Sequence, residues 1–152
     1  MQIRKYQHSD RKSIIDLLRQ NTPTYFAPSE ESDLNDFLDN HLENYFVVEV
    51  ENEVLACGGF NTSEDEKIIR ISWDIVHPQF QGKGLGSKLI KFRIQKIKEI
   101  KNIEIIVVRT SQLVYQFYEK FGFELKEIVR NFWADGFDLY HMELQLDKNP
   151  PQ

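Results

Sequence analysis

A chain of 152 residues fits one domain with a real buried core, and 41% apolar with 28% charged residues is ordinary for a globular protein. A formal charge of −5 argues against a surface built as a whole for nucleic acid, and the lone Cys57 leaves no intrachain disulfide or cysteine metal cluster. No apolar run approaches a membrane span, and the opening MQIRKYQHSD lacks a signal-peptide core or lipidation pattern, so a cytoplasmic protein with no membrane or nucleic-acid partner is expected.

Ile3 to Tyr6 reads as a short strand, and Ser9 or Asp10 is placed to cap a helix carrying Ile14, Ile15, Leu17 and Leu18. The segment NTPTYFAPSEESD breaks the pattern with two prolines. Leu34, Phe37, Leu38 and Leu42 then predict a second helix, for which Ser29 and Asp33 read as caps. YFVVEVENEVLACGGFNT reads as two strands with a tight turn near Glu51–Asn52, and EKIIRISWDIVHP as a long strand stopped by Pro78. A helix begins inside a glycine-rich segment and runs to about Lys98, and the β-branched IEIIVVRT is a buried strand. SQLVYQFYEKFG predicts a helix with Ser111 near its start and Gly122 at its stop, and a strand pair around Ala134–Gly136 closes the chain. The order β-α-α-β-β-β-α-β-α-β-β is a mixed α/β domain over residues 1–147, with 148–152 as a frayed tail.

QGKGLG, residues 81–86, lies between a strand end and a helix start. It fits neither the dinucleotide fingerprint nor the Walker pattern. Backbone without Cβ atoms can turn consecutive N–H groups toward one anion, and a helix N-terminus adds positive partial charge. From Lys83 to Lys101 there are seven Lys or Arg residues against one acid, Glu99. Lys96, Lys98 and Lys101 read as a solvated helix face, with Lys83 and Lys88 close enough to the loop to serve an anion.

IVHPQFQGKGLGSKLI resembles the acetyl-CoA motif of the general N-acetyltransferase (GNAT) superfamily, with Val76, Pro78, Gln81, Gly84 and Gly86 in the motif places. SQLVYQFYEKFGFE, starting 27 residues after Gly84, resembles the second family motif, and the likeness extends over nearly the whole chain. It implies a mostly antiparallel sheet of about seven strands, splayed between the fourth and fifth, with about four helices on its faces. It also implies an acetyl-CoA-dependent N-acetyltransferase, with Val76, Gln81, Gly82, Lys83, Gly84, Leu85, Gly86, Ser87, Ser111 and Tyr118 around the coenzyme. The pantetheine arm is then expected in the gap between the splayed strands, hydrogen-bonded like an extra strand.

The resemblance makes Tyr118 the general acid for the departing thiolate and the backbone N–H near Val76 the oxyanion donor. Tyr118 also reads as a packing aromatic beside Leu113, Val114, Phe117 and Phe121; the Gly-Phe context favours the acid role. Arg70 stands where some relatives carry a Glu, which leaves Asp74, or water held by Asp74 and Ser72, as the base. Alternation along the strand puts Arg70, Ser72 and Asp74 on one face, and a structural role for Asp74 is equally open. Cys57 reads as a small buried residue.

The acceptor is expected among Tyr25, Phe26, Phe132 and Trp133, with Glu30, Glu31 or Asp135 drawing a cationic amine. A small-molecule amine is the first reading and a protein or peptide amine the second. A non-catalytic acyl-CoA sensor and a nucleotide-binding domain stand as rivals, a homodimer is left open, and the four histidines suggest no metal set.

Overall fold

The computed structural model describes residues 1–146; the expected tail and the domain boundary at 147 lie outside them. The elements are β1 (Gln2–Lys5), α1 (Arg11–Gln20), α2 (Glu30–Asn40), β2 (Asn44–Val50), β3 (Glu53–Thr62), β4 (Ile68–Val76), α3 (Leu85–Lys98), β5 (Ile105–Thr110), α4 (Tyr115–Glu119), β6 (Glu124–Ala134) and β7 (Phe137–Gln145). One seven-stranded sheet has the order β1-β2-β3-β4-β5-β7-β6, with β4 and β5 its parallel pair and every other pairing antiparallel.

Helices on both faces explain why β2 reads YFVV without polar alternation. Tyr45 and Val47 pack with Ile14, Leu17 and Leu18 of α1 and Leu34, Phe37 and Leu38 of α2. Phe46 and Val48 pack on the other face with Leu85, Leu89, Ile90 and Ile97 of α3. Each such aliphatic side chain contributes about 1.5–3 kcal/mol through burial, so these two layers hold the frame on which the site is hung. The β2–β3 turn is built as expected: Glu51 and Asn52 sit at φ 51° and 68°, a two-residue pair with both residues left-handed and no glycine.

Local details depart from the sequence expectation at helix ends. Asp10 does not cap α1 through its side chain; a 3-10 turn over His8–Asp10 precedes the helix instead. The Asp10 carboxylate takes the Arg4 guanidinium at 2.9 Å on each oxygen and the Gln7 N–H at 2.8 Å, which hold it below the usual carboxylate range. Ser29 sits at the N-cap of α2 without a side-chain bond, and Leu42 lies beyond the helix, which ends at Asn40. The helix after Ser111 is only five residues long, because the chain makes turns from Gln112 to Val114 before closing it.

Two irregularities of β4 shape everything near the site. Its pairing with β5 lasts for three residues, from Ile68↔Ile105 to Arg70↔Val107, and then stops. Against β3, Gly59 pairs with Ser72 but Cys57 pairs with Ile75, so two steps on β3 face three on β4. The extra residue makes a β-bulge at Trp73–Asp74, with Trp73 at φ 45°. The Tyr45 hydroxyl pins this bulge by donating to the Trp73 carbonyl at 2.7 Å.

Candidate active site

Beyond Arg70 and Val107 the parted strands open into a cavity of about 1140 Å³, larger than a drug-sized pocket. Its walls include Ser72–Val76 of β4, Val108–Ser111 around the end of β5, the glycine segment and Phe117–Tyr118 of α4. Among the described residues no three His, Cys, Asp or Glu side chains gather as a metal set.

The glycine segment is bare for a conformational reason. Gly82 and Gly84 sit at φ 78° and 89°, and a Cβ on either meets no protein atom within 4 Å. The left-handed backbone, rather than crowding by neighbours, demands glycine there. Gly86 differs: a Cβ would stand 3.3 Å from the Phe117 ring, so this glycine lets α3 approach α4. The Gln81 side chain turns back to hold the loop, donating to Asn21 Oδ1 at 3.0 Å and to the Val76 carbonyl at 3.3 Å. Val76, Gln81, Gly82, Gly84, Gly86, Ser87, Ser111 and Tyr118 line the cavity, whereas Lys83 is exposed outside it and Leu85 belongs to the core. Ser111 is buried, and its Oγ accepts the Leu113 N–H at 3.2 Å.

The bulge overturns the expectation that Arg70, Ser72 and Asp74 share a face. Ser72, paired with Gly59, donates to Asn61 Oδ1 at 2.5 Å, while Trp73 packs toward α1 and α2. Asp74 is sent to the opposite side, where Tyr118 donates to its Oδ2 at 2.5 Å and Arg93 Nη1 lies 2.5 Å from its Oδ1. That second contact lacks the direction of a hydrogen bond, so charge attraction holds Oδ1 rather than a shared proton. Arg93 is itself 1% exposed, and its other contacts are the Gly59 carbonyl at 3.0 Å and the Leu89 carbonyl at 3.2 Å.

Glycine at position 58 makes room for this ion pair. A Cβ there would stand 2.1 Å from Asp74 Oδ1 and 2.9 Å from Arg93 Nη1. Burial, reinforced by the Asp74 charge and hydrogen bond, raises the Tyr118 pKa well above that of a free phenol, with Arg93 acting in the other direction. Burial also pushes the Cys57 thiol up to about 12, which makes it inert as a nucleophile at neutral pH.

Of the residues expected at the acceptor, Tyr25, Phe26 and Trp133 line the cavity, with Phe26 stacked on Trp73 at 6.2 Å and Trp133 Nε1 donating to the Thr110 carbonyl at 3.1 Å. Asp135 is exposed and outside the cavity, and Phe132 is 44% exposed. Glu31 pairs with Arg19, and buried Glu30 accepts the Ala27 N–H at 2.8 Å. The acids expected to attract a cationic amine are therefore occupied or misplaced.

Sequence reasoning missed Arg93, hidden in a run of basic residues that reads as a solvated face. Its only signal was position: it lies four residues after Leu89, inside an apolar arc. Asn21 was missed as well, although it bridges the Leu17 carbonyl at 2.8 Å, the Val76 carbonyl at 3.1 Å and the Gln81 amide.

Comparison with known proteins agrees with this architecture. Over 91 residues, 60% of this chain, it is 31% identical to an amino-acid acetyltransferase of Pasteurella multocida, though the match spans only 20% of that protein. It is 28% identical over 127 residues to an N-alpha-acetyltransferase of Sulfurisphaera tokodaii, covering 72% of this chain and 76% of the relative. An aminoglycoside 6'-N-acetyltransferase solved with coenzyme A has the same fold, with a TM-score of 0.79 at 14% identity, covering 99% of this chain and all of that one. The acetyltransferase (GNAT) domain profile matches residues 41–125, more than half the chain and enough to contain both motifs and the parted strands. This chain belongs to the GNAT acetyltransferase family.

Proposed function

We propose that the protein transfers the acetyl group of acetyl-CoA to a primary amine of a small molecule, by direct attack of the amine on the thioester. The observation that carries this reading is that the open glycine backbone and Tyr118 line one cavity between two strands that have stopped pairing. In this reading the N–H groups from Gln81 to Ser87 hold the pyrophosphate, aided by the positive end of α3, and Lys83 adds charge from the exposed side. Val76 and Ser111 flank the gap that receives the pantetheine arm, and the Val76 N–H serves the tetrahedral oxyanion.

Acetyl-CoA supplies the activated acyl group and a sulfur leaving group, whose thiol pKa is about 8.5. Tyr118 keeps its proton throughout the neutral range because burial and Asp74 raise its pKa. A phenol so raised is a weak acid toward a thiolate. At rest its one proton is given to Asp74 Oδ2; as sulfur gains charge the hydroxyl turns to donate to it, and the proton follows as the C–S bond breaks. Asp74 holds that hydroxyl at rest, and Arg93 holds Asp74. Both Asp74 oxygens are engaged and Ser72 is turned to the other face, so neither is assigned as base; the amine loses its proton to water in the open cleft.

A peptide amine is the second reading, favoured by the N-alpha-acetyltransferase that matches over most of its own length. Thiol release from acetyl-CoA across small amines and N-terminal peptides, alongside calorimetric titration with acetyl-CoA, tests all of this. Binding without thiol release from any amine would make the protein a sensor, and absent binding would end the acetyl-CoA reading.

A further inference from the structure

Three carboxylates line the cavity, and each is already engaged. Asp74 holds Tyr118 and Arg93, Glu30 takes the Ala27 N–H, and Glu43 accepts the Thr62 N–H at 2.9 Å and its hydroxyl at 3.0 Å. Two arginines line the same cavity in the opposite condition. Neither Arg70 nor Arg109 has a carboxylate within 4.0 Å among the described residues.

The two guanidinium groups lie on one face of the sheet. Arg70 pairs with Val107, and side chains two apart on a strand share a side, so Arg109 follows Val107 onto the side of Arg70. The positive charge of Arg70 is felt at Arg109, where it adds to burial in disfavouring the charged form. Arg109 is nevertheless fixed, its guanidinium 5.0 Å from the Phe132 ring centroid and 5.8 Å from that of Trp133. Of the acids around it, Glu143 is taken by His141 at 3.1 Å, and Glu127 acts on Arg109 only from a distance. Glu64 and Asp65 border a neighbouring depression that Arg70 also lines, yet neither pairs with it. The chain carries 24 acids against 19 lysines and arginines, so a shortage of acids does not explain an unpaired arginine couple. Two like charges held near each other beside a cavity are stabilised by an anion that arrives with the ligand, and guanidinium forks match carboxylate and phosphate oxygens in pairs.

We propose that Arg70 and Arg109 form an anion subsite for the acceptor, so that the amine substrate carries a carboxylate or a phosphate. The proposal rests on the acetyltransferase reading above and narrows its substrate class.

The test uses matched pairs of amines: an amino sugar with its phosphate monoester, and an amino acid with its amide. The charged member of one pair is expected to have at least tenfold higher kcat/KM, and the pair that shows it identifies phosphate or carboxylate. R70Q and R109Q are each expected to raise KM for that member tenfold or more and to shrink the preference, while the acetyl-CoA Kd stays within twofold. R109K, which keeps the charge but loses the fork and its stacking, should fall between wild type and R109Q. Equal use of charged and neutral members, or a preference that both R70Q and R109Q leave intact, overturns the subsite while leaving the acetyltransferase reading in place. If no amine releases thiol, titration of the charged members into protein saturated with CoA reads the subsite directly. Binding lost in both variants supports it, and no binding to wild type overturns it. Failure to bind acetyl-CoA at all is the separate result that removes the underlying reading.

Discussion

Tyr118 and Asp74 are 44 positions apart in sequence, yet the tyrosine hydroxyl donates to the aspartate at 2.5 Å. The contact joins α4 to β4 and is completed from α3 by Arg93. The Tyr118 hydroxyl is thus held from three elements rather than by its own short helix.

Removing the donor gives the first prediction. Tyr118→Phe deletes the hydroxyl and leaves the ring to pack, so acetyl-CoA affinity should stay within about threefold while kcat drops roughly a hundredfold or more. Steady-state thiol release with calorimetry checks it, and an unchanged kcat would remove Tyr118 from the acid role.

Arg93 should matter for stability more than its place in a basic helix suggests. Arg93→Met leaves Asp74 without its cation in a largely buried position, at a cost of about 3–5 kcal/mol in urea unfolding. Because the two side chains act as a pair, Arg93→Met with Asp74→Asn should cost less than the sum of the single changes. Strict additivity would show that the pair is not coupled.

Asp74→Asn also separates orientation from base catalysis. With Asp74 as an orienting group, kcat falls but the acid limb of the kcat/KM profile against pH stays where it is in wild type. Loss or displacement of that limb would return Asp74 to the role of base.

Glycines 58 and 84 should fail for different reasons. Gly58→Ala drives a Cβ to 2.1 Å from Asp74 Oδ1, so both stability and turnover should fall. Gly84→Ala meets no protein atom but must hold φ 89°, a strain of about 1–2 kcal/mol, and its methyl stands in the space proposed for the pyrophosphate. Its main effect should be an acetyl-CoA Kd raised tenfold or more. Normal affinity in Gly84→Ala would count against the phosphate role of the loop.

Alkaline pH should unfold the protein through groups that release protons only when exposed. Cys57 titrates near 9.0 when free and near 12 in the folded chain, and Tyr45 and Tyr118 are both raised above 10.0. Between the free and folded values the unfolded state has lost protons that the native state keeps. Stability is therefore insensitive to these groups below about pH 9 and declines above it, by about 1.4 kcal/mol per pH unit for each proton. Urea unfolding at pH 8 and pH 10.5 checks the sign; a flat or rising stability would contradict it.

Much of the architecture was legible in sequence because periodicity and turn chemistry are local. The seven strands and the two-residue turn at Glu51–Asn52 each rest on neighbours in the chain. Arg93 and the facing of Asp74 were not legible, because both depend on contacts across the sheet. Strict alternation along ISWDIV puts Asp74 beside Ser72; only the pairing with β3 reveals the extra residue that separates them. Gly58 and Gly59 stood plainly in ACGGF, but their reason lay on β4, α3 and β2. Leu42 looked helical by spacing alone and lies past the end of α2.

The bulge at Trp73 also makes parity the fragile property of β4. Asp74 faces Tyr118 because the strand carries an odd residue more than its partner, so the count itself is encoded, not only the identities. Pairing the same nine residues without the bulge would leave every side chain of the site present in sequence yet return Asp74 to the face of Ser72. Lengthening the loop from Ser63 to Lys67 shifts no strand pairing. A homologue that drifts in length is thus free to do so between strands, while a one-residue slip of these nine positions against β3 reverses which side of the sheet holds the carboxylate.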